Sequence, residues 1–281
     1  SSENVIYLGA TPHQHVLPLL HHVVPPHPAV MYNVGSNYVW SWEIHRIARE
    51  AMAAVDGRIL SEQLVTLGAQ SVDAIVADIV SKRPSIVLNT LVGQSAYAFY
   101  EAWHAASRTH AYLASESVTR LSLTLCEPEV PVVGIPSIEG CLVSSVYFQS
   151  IDSERNRRFR QAFVQAFGPA GVPCVDSESA YLSGVFLARS ISACGSDEPA
   201  RVRQAACQQI VDAPQGQVRI DPGNNHAYLT PRIARCNASG DFDIVWQAAQ
   251  PVKPDPYLAS VELSELRHRE CSGMKASQTK E

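Results

Sequence analysis

Apolar positions along this chain follow two alternating rhythms. Near-continuous runs at VIYLGA (5–10), AVMYNVG (29–35) and SIVLNTLVG (85–93) predict strands, the last of the kind buried on both faces of a parallel sheet. Between them the three-four spacing of helices recurs. HVLPLLHHVV (15–24) reads as a helix that Pro25 and Pro26 must end, and Trp42 to Val55 places Ile44, Ile47, Ala48, Ala51 and Met52 on one face before Gly57. Arg58–Leu60 and 64–68 read as one strand segment, and 71–84 as a helix with Ser71 as its N-cap and Pro84 beyond its end. Strand, helix and strand succeeding one another predict right-handed crossovers and a doubly wound, mostly parallel α/β sheet.

The second half continues with a helix over 95–107 and strands over 120–125 and 142–148. Asp152 can cap the basic-faced helix NRRFRQAFVQAF (156–167), which Gly168 and Pro169 end. A further helix over 177–194 carries an apolar stripe through Tyr181, Val185, Phe186 and Ala188. Beyond Pro214 the rhythm changes: QVRI, HAYLTPRIARC and FDIVWQA, separated by PGNN and NASGD, predict antiparallel hairpins. From about Arg267 the chain is polar and reads as a loose tail.

With 281 residues, 46% apolar and 17% charged, the chain can bury a large core, and two lobes are the expected division. A net charge of −5 without Lys/Arg runs argues against nucleic-acid binding, and no apolar stretch approaches a membrane span. The start, SSENVIYLG, lacks the features of a signal peptide but also lacks a Met, so it proves nothing about export. Seven cysteines without CxxC or metal spacing fit a reducing compartment better than an oxidising one. The expected location is therefore the cytoplasm, with the periplasm as the alternative. Five histidines crowd the first 27 residues, yet no carboxylate or cysteine sits among them at ligand spacing and the prolines break any shared helical face. No metal or cofactor is expected.

Candidate chemistry concentrates in VGSNYVWSW (34–42), where a strand runs into a Gly-Ser turn carrying Tyr38, Trp40 and Trp42 ahead of a helix. That position is the carboxyl edge of an α/β strand, where small ligands settle. The sequence contains no GxSxG, HExxH, GxGxxG or GxxxxGK[ST]. A thiol hydrolase could be built on Cys126 with Glu127 and Glu129, but no basic residue beside it would lower the thiol pKa.

GSNYVWSWE, RPSIVLNTLVG with AYAFY, TLCEPEV, YFQSID, DAPQGQVRIDPGNNHAYLTPRI and PVKPDPYL together resemble one branch of the type I periplasmic-binding-protein fold. That branch contains the amide-sensing regulator of bacterial aliphatic amidase operons and the urea or short-chain-amide receptors of ABC transporters. The resemblance runs from about residue 4 to 258 and implies two lobes of doubly wound sheet joined by three crossovers near 25–30, 147–152 and 196–214. Family members carry further residues ahead of the point where this chain starts, so lobe one is expected to be incomplete. The implied division is 1–25 for a fragment of lobe one, 26–148 for lobe two, 149–196 for lobe one, 197–266 for lobe two with the C-terminal hairpins, and 267–281 for the tail.

The resemblance further implies a non-enzymatic binding protein for a small neutral amide or urea that signals by lobe closure. Tyr38 matches a tyrosine whose hydroxyl contacts the amide, Trp40 an aromatic wall, Val92 and Gly93 a strand edge bordering the ligand, and Thr124 a threonine on the next strand end. Ser36 has a weaker claim as a turn residue, and His226 reads as a structural hydrogen-bonder. The implied partner is an antiterminator-type protein for the regulator, or ABC permease subunits for the transport receptor; a homo-oligomer is compatible with either. No direct nucleic-acid contact and no membrane insertion are implied.

Overall fold

The computed structural model describes residues 4–24 and 29–258. Helix α1 (Pro12–Val23) precedes an alternating run of β1 (Val30–Ser36), α2 (Val39–Ala54), β2 (Arg58–Val65), α3 (Asp73–Lys82), β3 (Ile86–Thr90), α4 (Gln94–Ser107) and β4 (Thr119–Ser122). A 3-10 turn (Glu127–Glu129) and two one-turn helices, α5 (Val130–Val133) and α6 (Ile135–Ile138), lead into β5 (Leu142–Ser145). Helices α7 (Glu154–Phe167), α8 (Val175–Cys194) and α9 (Pro199–Cys207) follow, then β6 (Ile210–Ala213), β7 (Gly216–Ile220), β8 (Ala227–Tyr228), β9 (Arg232–Cys236) and β10 (Phe242–Gln247).

Seven strands form the larger sheet in the order β10-β9-β5-β4-β3-β1-β2. Strands β1 to β5 are mutually parallel where they pair, and β9 and β10 add to the β5 edge antiparallel. Both faces of this sheet are covered, as its apolar strands require. On one face α3 and α4 bring Ile79, Phe99, Tyr100 and Trp103 onto Tyr32, Val34, Val87 and Val143. On the other, α1 and α2 bring Val16, Leu19, Leu20, Ile44 and Ile47 onto Met31, Ile86, Leu88 and Ile233.

The smaller sheet is antiparallel, β6-β7-β8. It packs Val211, Val218, Ile220 and Ala227 against Leu8, Leu182, Phe186 and Ala206 of the N-terminal segment, α8 and α9. The α/β class and the doubly wound, mostly parallel sheet are thus as the sequence predicts.

Several local expectations differ. The run 5–10 makes only one bridge, Tyr7 with His226, because the small sheet has no full-length strand beside it. Helix α1, assigned from sequence to lobe one, instead buries its apolar face on the larger sheet. Strands β6 to β8, grouped from sequence with lobe two, form the separate small sheet, while β9 and β10 join the large one. The chain therefore passes between the two packing units between Leu8 and Val16, through 146–153, and between Leu229 and Ile233. The expected crossover at 25–30 falls partly, and the tail at 267–281 wholly, outside the described residues.

Capping also shifts. Ser153, not Asp152, caps α7 by accepting from the Asn156 N–H at 3.0 Å, whereas Asp152 pairs with Arg157 at 2.6 Å. Helix α3 starts after Val72 with no side-chain cap, so Ser71 does not serve. Helix α8 turns Leu182, Phe186 and Ser190 inward; of the expected stripe Phe186 is buried and Val185 packs beside it, whereas Tyr181 is half exposed and Ala188 exposed.

Arg232 anchors the third passage. Its guanidinium is buried and donates to the Val146 carbonyl at 2.5 Å, to Thr230 at 3.1 Å and to Gln215 at 2.8 Å, joining both sheets. Gln215 in turn donates to the buried Glu178 carboxyl at 2.7 Å.

Candidate functional site

The carboxyl ends of β3, β4 and β5 face the N-terminal turn of α8 and enclose a cavity of about 370 Å3. This is the edge at which open α/β sheets present ligands. A larger hollow of about 620 Å3 lies between α7 and α8, lined by Phe159, Phe163, Phe167 and three arginines, away from any parallel-strand end.

Each wall of the smaller cavity has a local cause. After β3, Leu91 donates its N–H to Asn89 Oδ1 at 2.9 Å and Val92 donates to Ser36 Oγ at 3.1 Å, which turns the chain out of the sheet. Gly93 then caps α4 at φ +56, a conformation that favours glycine, with open space where a Cβ would stand. After β4, Ser122 Oγ accepts from Leu125 N–H at 3.0 Å, and Thr124 Oγ1 donates to the Leu91 carbonyl at 2.9 Å. Cys126 opens the 3-10 turn, its N–H donating to Glu129 Oε2 at 3.1 Å. Within β5, Ser144 Oγ donates to the His15 carbonyl at 2.7 Å while the His15 ring meets the Ser144 carbonyl at 2.8 Å, so α1 is stitched to the floor. Val175, Asp176 and Ser179 of α8 form the opposite wall.

The cavity is lined by three acidic side chains, Glu127, Glu129 and Asp176. Burial pushes Glu127 up to about 7, opposed by the Gln149 N–H it accepts at 2.7 Å, and burial likewise raises Glu129. Desolvation lowers His15, which keeps the ring neutral at physiological pH. Among the described residues neither Lys nor Arg lines the cavity, and no group of His, Cys, Asp and Glu could hold a metal ion.

Of the residues singled out from sequence, Val92, Gly93 and Thr124 come together in the cavity wall. Ser36 is fully buried one hydrogen bond behind it, its hydroxyl committed to Val92. Tyr38 and Trp40 stack on each other at 6.1 Å at the start of α2 and are not in the wall; Trp40 also packs on the core beneath α2. Helix α2 begins at Val39, earlier than its apolar spacing predicts, with Tyr38 as an extended N-cap. His226 is taken up structurally, its ring stacked on Tyr7 at 4.3 Å and its Nδ1 at 2.8 Å from the Asn224 carbonyl.

Cys126 does not have the surroundings of a hydrolase nucleophile, which must rest as a thiolate. A hydrogen bond with Cys174, then burial, then the neighbouring carboxylates all push its thiol up, the reverse of what thiolate chemistry needs. His15, Ser145, Asp176 and Ser179 were not singled out from sequence as site residues, and Glu127 only as a neighbour of Cys126; the strand-end rule applied to β5 would have found Ser145, but nothing local points to α8.

The fold matches solved structures closely in shape and distantly in sequence. A solute-binding protein of an ABC transporter from Rhodopseudomonas palustris HaA2, in complex with p-hydroxybenzoic acid, aligns with a TM-score of 0.77 at 18% identity, over 88% of this chain and 67% of that one. An amino acid ABC transporter substrate-binding protein from Pseudomonas fluorescens Pf-5 aligns at 0.76 and 16% identity, over 91% and 69% respectively. The chain thus spans about two thirds of the length of these structures. A protein named limonene hydroxylase from Geobacillus stearothermophilus is 28% identical over 116 residues, which is 41% of this chain and 21% of that protein. The periplasmic binding protein domain family matches residues 1–263, and the chain belongs to that family.

Proposed function

We propose that this chain is a solute-binding receptor that takes a small neutral ligand of the amide or urea kind between its two packing units and presents it to membrane permease subunits. The observation that carries this reading is the chemistry of the wall: among the described residues Glu127, Glu129 and Asp176 stand in the cavity and no Lys or Arg lines it. A carboxylate ligand, such as the one the R. palustris relative holds, would meet acidic groups there and no cationic partner. An amide suits it better, since its N–H groups can donate to carboxylates or hydroxyls while its carbonyl needs one donor, from a hydroxyl or from the start of α4.

Size limits the affinity. A ligand of about four heavy atoms, at a ceiling near 1.5 kcal/mol each, gains roughly 6 kcal/mol, a dissociation constant of about tens of micromolar. At about 30 Å3 per water the cavity has room for roughly a dozen waters, far more than acetamide displaces, so capture requires the walls to draw together. A ligand touching both walls favours the closed arrangement by its difference in affinity for the two states. Residues 146–153 and the Arg232 anchor are the joints that would carry the rotation.

Export to the periplasm goes with the transport reading. A cytoplasmic sensor acting on an antiterminator-type partner is the second reading, favoured by the free state of all six described cysteines. Both readings are of a binder, not of an enzyme; the raised Cys126 thiol weighs against the hydrolase.

Calorimetric titration with acetamide, propionamide, formamide and urea, with p-hydroxybenzoic acid as the control, tests the proposal. Saturable heat with at least one neutral ligand and none with the benzoate is the expected result. Heat with the benzoate alone would overturn it. In the same titration Tyr38→Phe should weaken binding by about 0.5 to 1.5 kcal/mol if its hydroxyl reaches the ligand on closure; an unchanged curve removes Tyr38 from the contact set.

A further inference from the structure

We propose that Cys126 and Cys174 are a redox pair that closes into a disulfide and clasps the two walls of the cavity together. Cys126 lies beyond β4 on the large-sheet side and opens the Glu127–Glu129 turn, whereas Cys174 is the N-cap of the twenty-residue helix α8 on the small-sheet side. Both are free and only partly buried. Their thiols hydrogen-bond one another. Flanking groups fix each sulfur: Cys126 Sγ lies 3.8 Å from Glu129 Oε2, and Cys174 Sγ lies 3.9 Å from the Ser177 hydroxyl. The residues next to both, Glu127 on one side and Val175 and Asp176 on the other, line the same cavity, so the pair sits where the walls meet.

The two sulfurs are set up for different parts. The bond from Cys126, with the N–H groups of Ser177 and Asp176 at the helix start, pulls Cys174 down to about 6 against its burial. The direction of these shifts makes Cys174 the attacking sulfur and Cys126 the resolving one. Cys141 and Cys236 offer an internal contrast, since both are buried in the core and pushed up by that burial.

With a small disulfide such as oxidised glutathione as the oxidant, the Cys174 thiolate attacks one sulfur, a Cys174 mixed disulfide forms, and one glutathione thiolate leaves. Cys126 then attacks the Cys174 sulfur, its proton passing through the Glu129 carboxylate to the second departing glutathione. The two protein thiols lose two electrons, the oxidant gains them, and one disulfide replaces another. The new bond links the two packing units across the cavity, so it holds the walls together and slows ligand exchange. That last consequence rests on the receptor reading; formation of the bond does not.

The test uses the ligand-free chain incubated with oxidised glutathione or with dithiothreitol, quenched with N-ethylmaleimide and mapped without reduction. The expected result is a cross-link joining the Cys126 and Cys174 peptides, with loss of two titratable thiols, reversed by dithiothreitol, while Cys141 and Cys236 stay unlinked. In Cys126→Ser, Cys174 should stop at the glutathione adduct. Equal alkylation of Cys126 and Cys174 with and without oxidant, or a glutathione adduct that persists on Cys174 in the unsubstituted chain, would overturn the proposal. The amide titration reads separately: a cross-link without amide binding removes the receptor reading and leaves the redox pair, and amide binding without a cross-link does the reverse.

Discussion

The two sheets of this molecule are held by different amounts of core. The seven-stranded sheet is sandwiched between two apolar clusters, and its helices bury Phe99, Trp103, Leu19 and Leu20 almost completely. The three-stranded sheet has one cluster, and the helices beside it leave Phe167 71%, Leu187 55% and Tyr181 51% exposed. Ligand-side chemistry is split between them, with most of the cavity wall on the well-buried unit and α8 on the other. In the proposed receptor the well-packed unit would fix the geometry of the strand ends, and the lightly packed one would supply the wall that moves.

The largest expected effect breaks this comparison directly. Phe99→Ala empties a fully packed site between Tyr100 and Trp103 and should cost about 3 to 5 kcal/mol in urea unfolding. Phe167→Ala removes a ring that rests on Phe163 and otherwise faces solvent, and should stay within about 0.5 kcal/mol. Similar losses at both sites would mean the small unit is as tightly held as the large one.

Next comes the seam between them. Glu178 is fully buried on α8, and desolvation raises its carboxyl from 4.5 to about 7. Its folded pKa lies above the unfolded value, so the native chain binds the extra proton between those pH values. Stability from this group is therefore greatest at low pH and declines as pH rises from about 4.5 through about 7, by a ceiling of about 3 kcal/mol. Glu127 acts in the same direction. Urea midpoints measured from pH 5 to 8 should fall less steeply in Glu178→Gln, whose amide can stand in for the protonated acid beside Gln215. Parallel pH profiles for the two proteins would place the Glu178 carboxyl at its ordinary pKa.

What the sequence disclosed follows the same division. The large sheet was legible because strands buried on both faces read as continuous apolar runs, SIVLNTLVG above all, and because its helices keep a clean three-four spacing. In the small unit the signal was weaker. Ile210–Ala213 is four residues alternating exposed and buried, and the 5–10 run reads as a strand although only Tyr7 finds a partner. Pairing with His226 is a non-local fact that no window of sequence contains. The cavity shows the same limit. Val92, Gly93 and Thr124 were implied by the family resemblance, whereas His15 and Asp176 meet them only through the packing of α1 and α8. For Tyr38 and Trp40, aromatic character located the right sheet edge, yet the path of the turn sends them toward each other and away from the wall.

Two glycines sharpen the comparison with a smaller and opposite pair of effects. A Cβ on Gly35, at the end of β1, would stand 2.3 Å from Thr90 Oγ1, 3.0 Å from His45 Nε2 and 3.1 Å from Ser41 Cβ. Those neighbours cannot easily withdraw, because Thr90 donates to the Val34 carbonyl at 3.2 Å and Ser41 to the Thr90 carbonyl at 3.1 Å, and together they hold β1, β3 and α2 in contact. Gly35→Ala should therefore cost about 1 to 3 kcal/mol, the usual range for overpacking. Gly184 lies on the exposed side of α8 with nothing within 4 Å of a built Cβ, so the substitution only restricts the unfolded chain. Gly184→Ala should raise stability by about 0.5 to 1 kcal/mol, the helix-propensity difference. Opposite signs in one urea series would locate close packing at the strand ends of the large sheet and slack in α8. A loss at Gly184 comparable to that at Gly35 would mean that α8 is covered where the structure leaves it open, and would return the two units to equal footing.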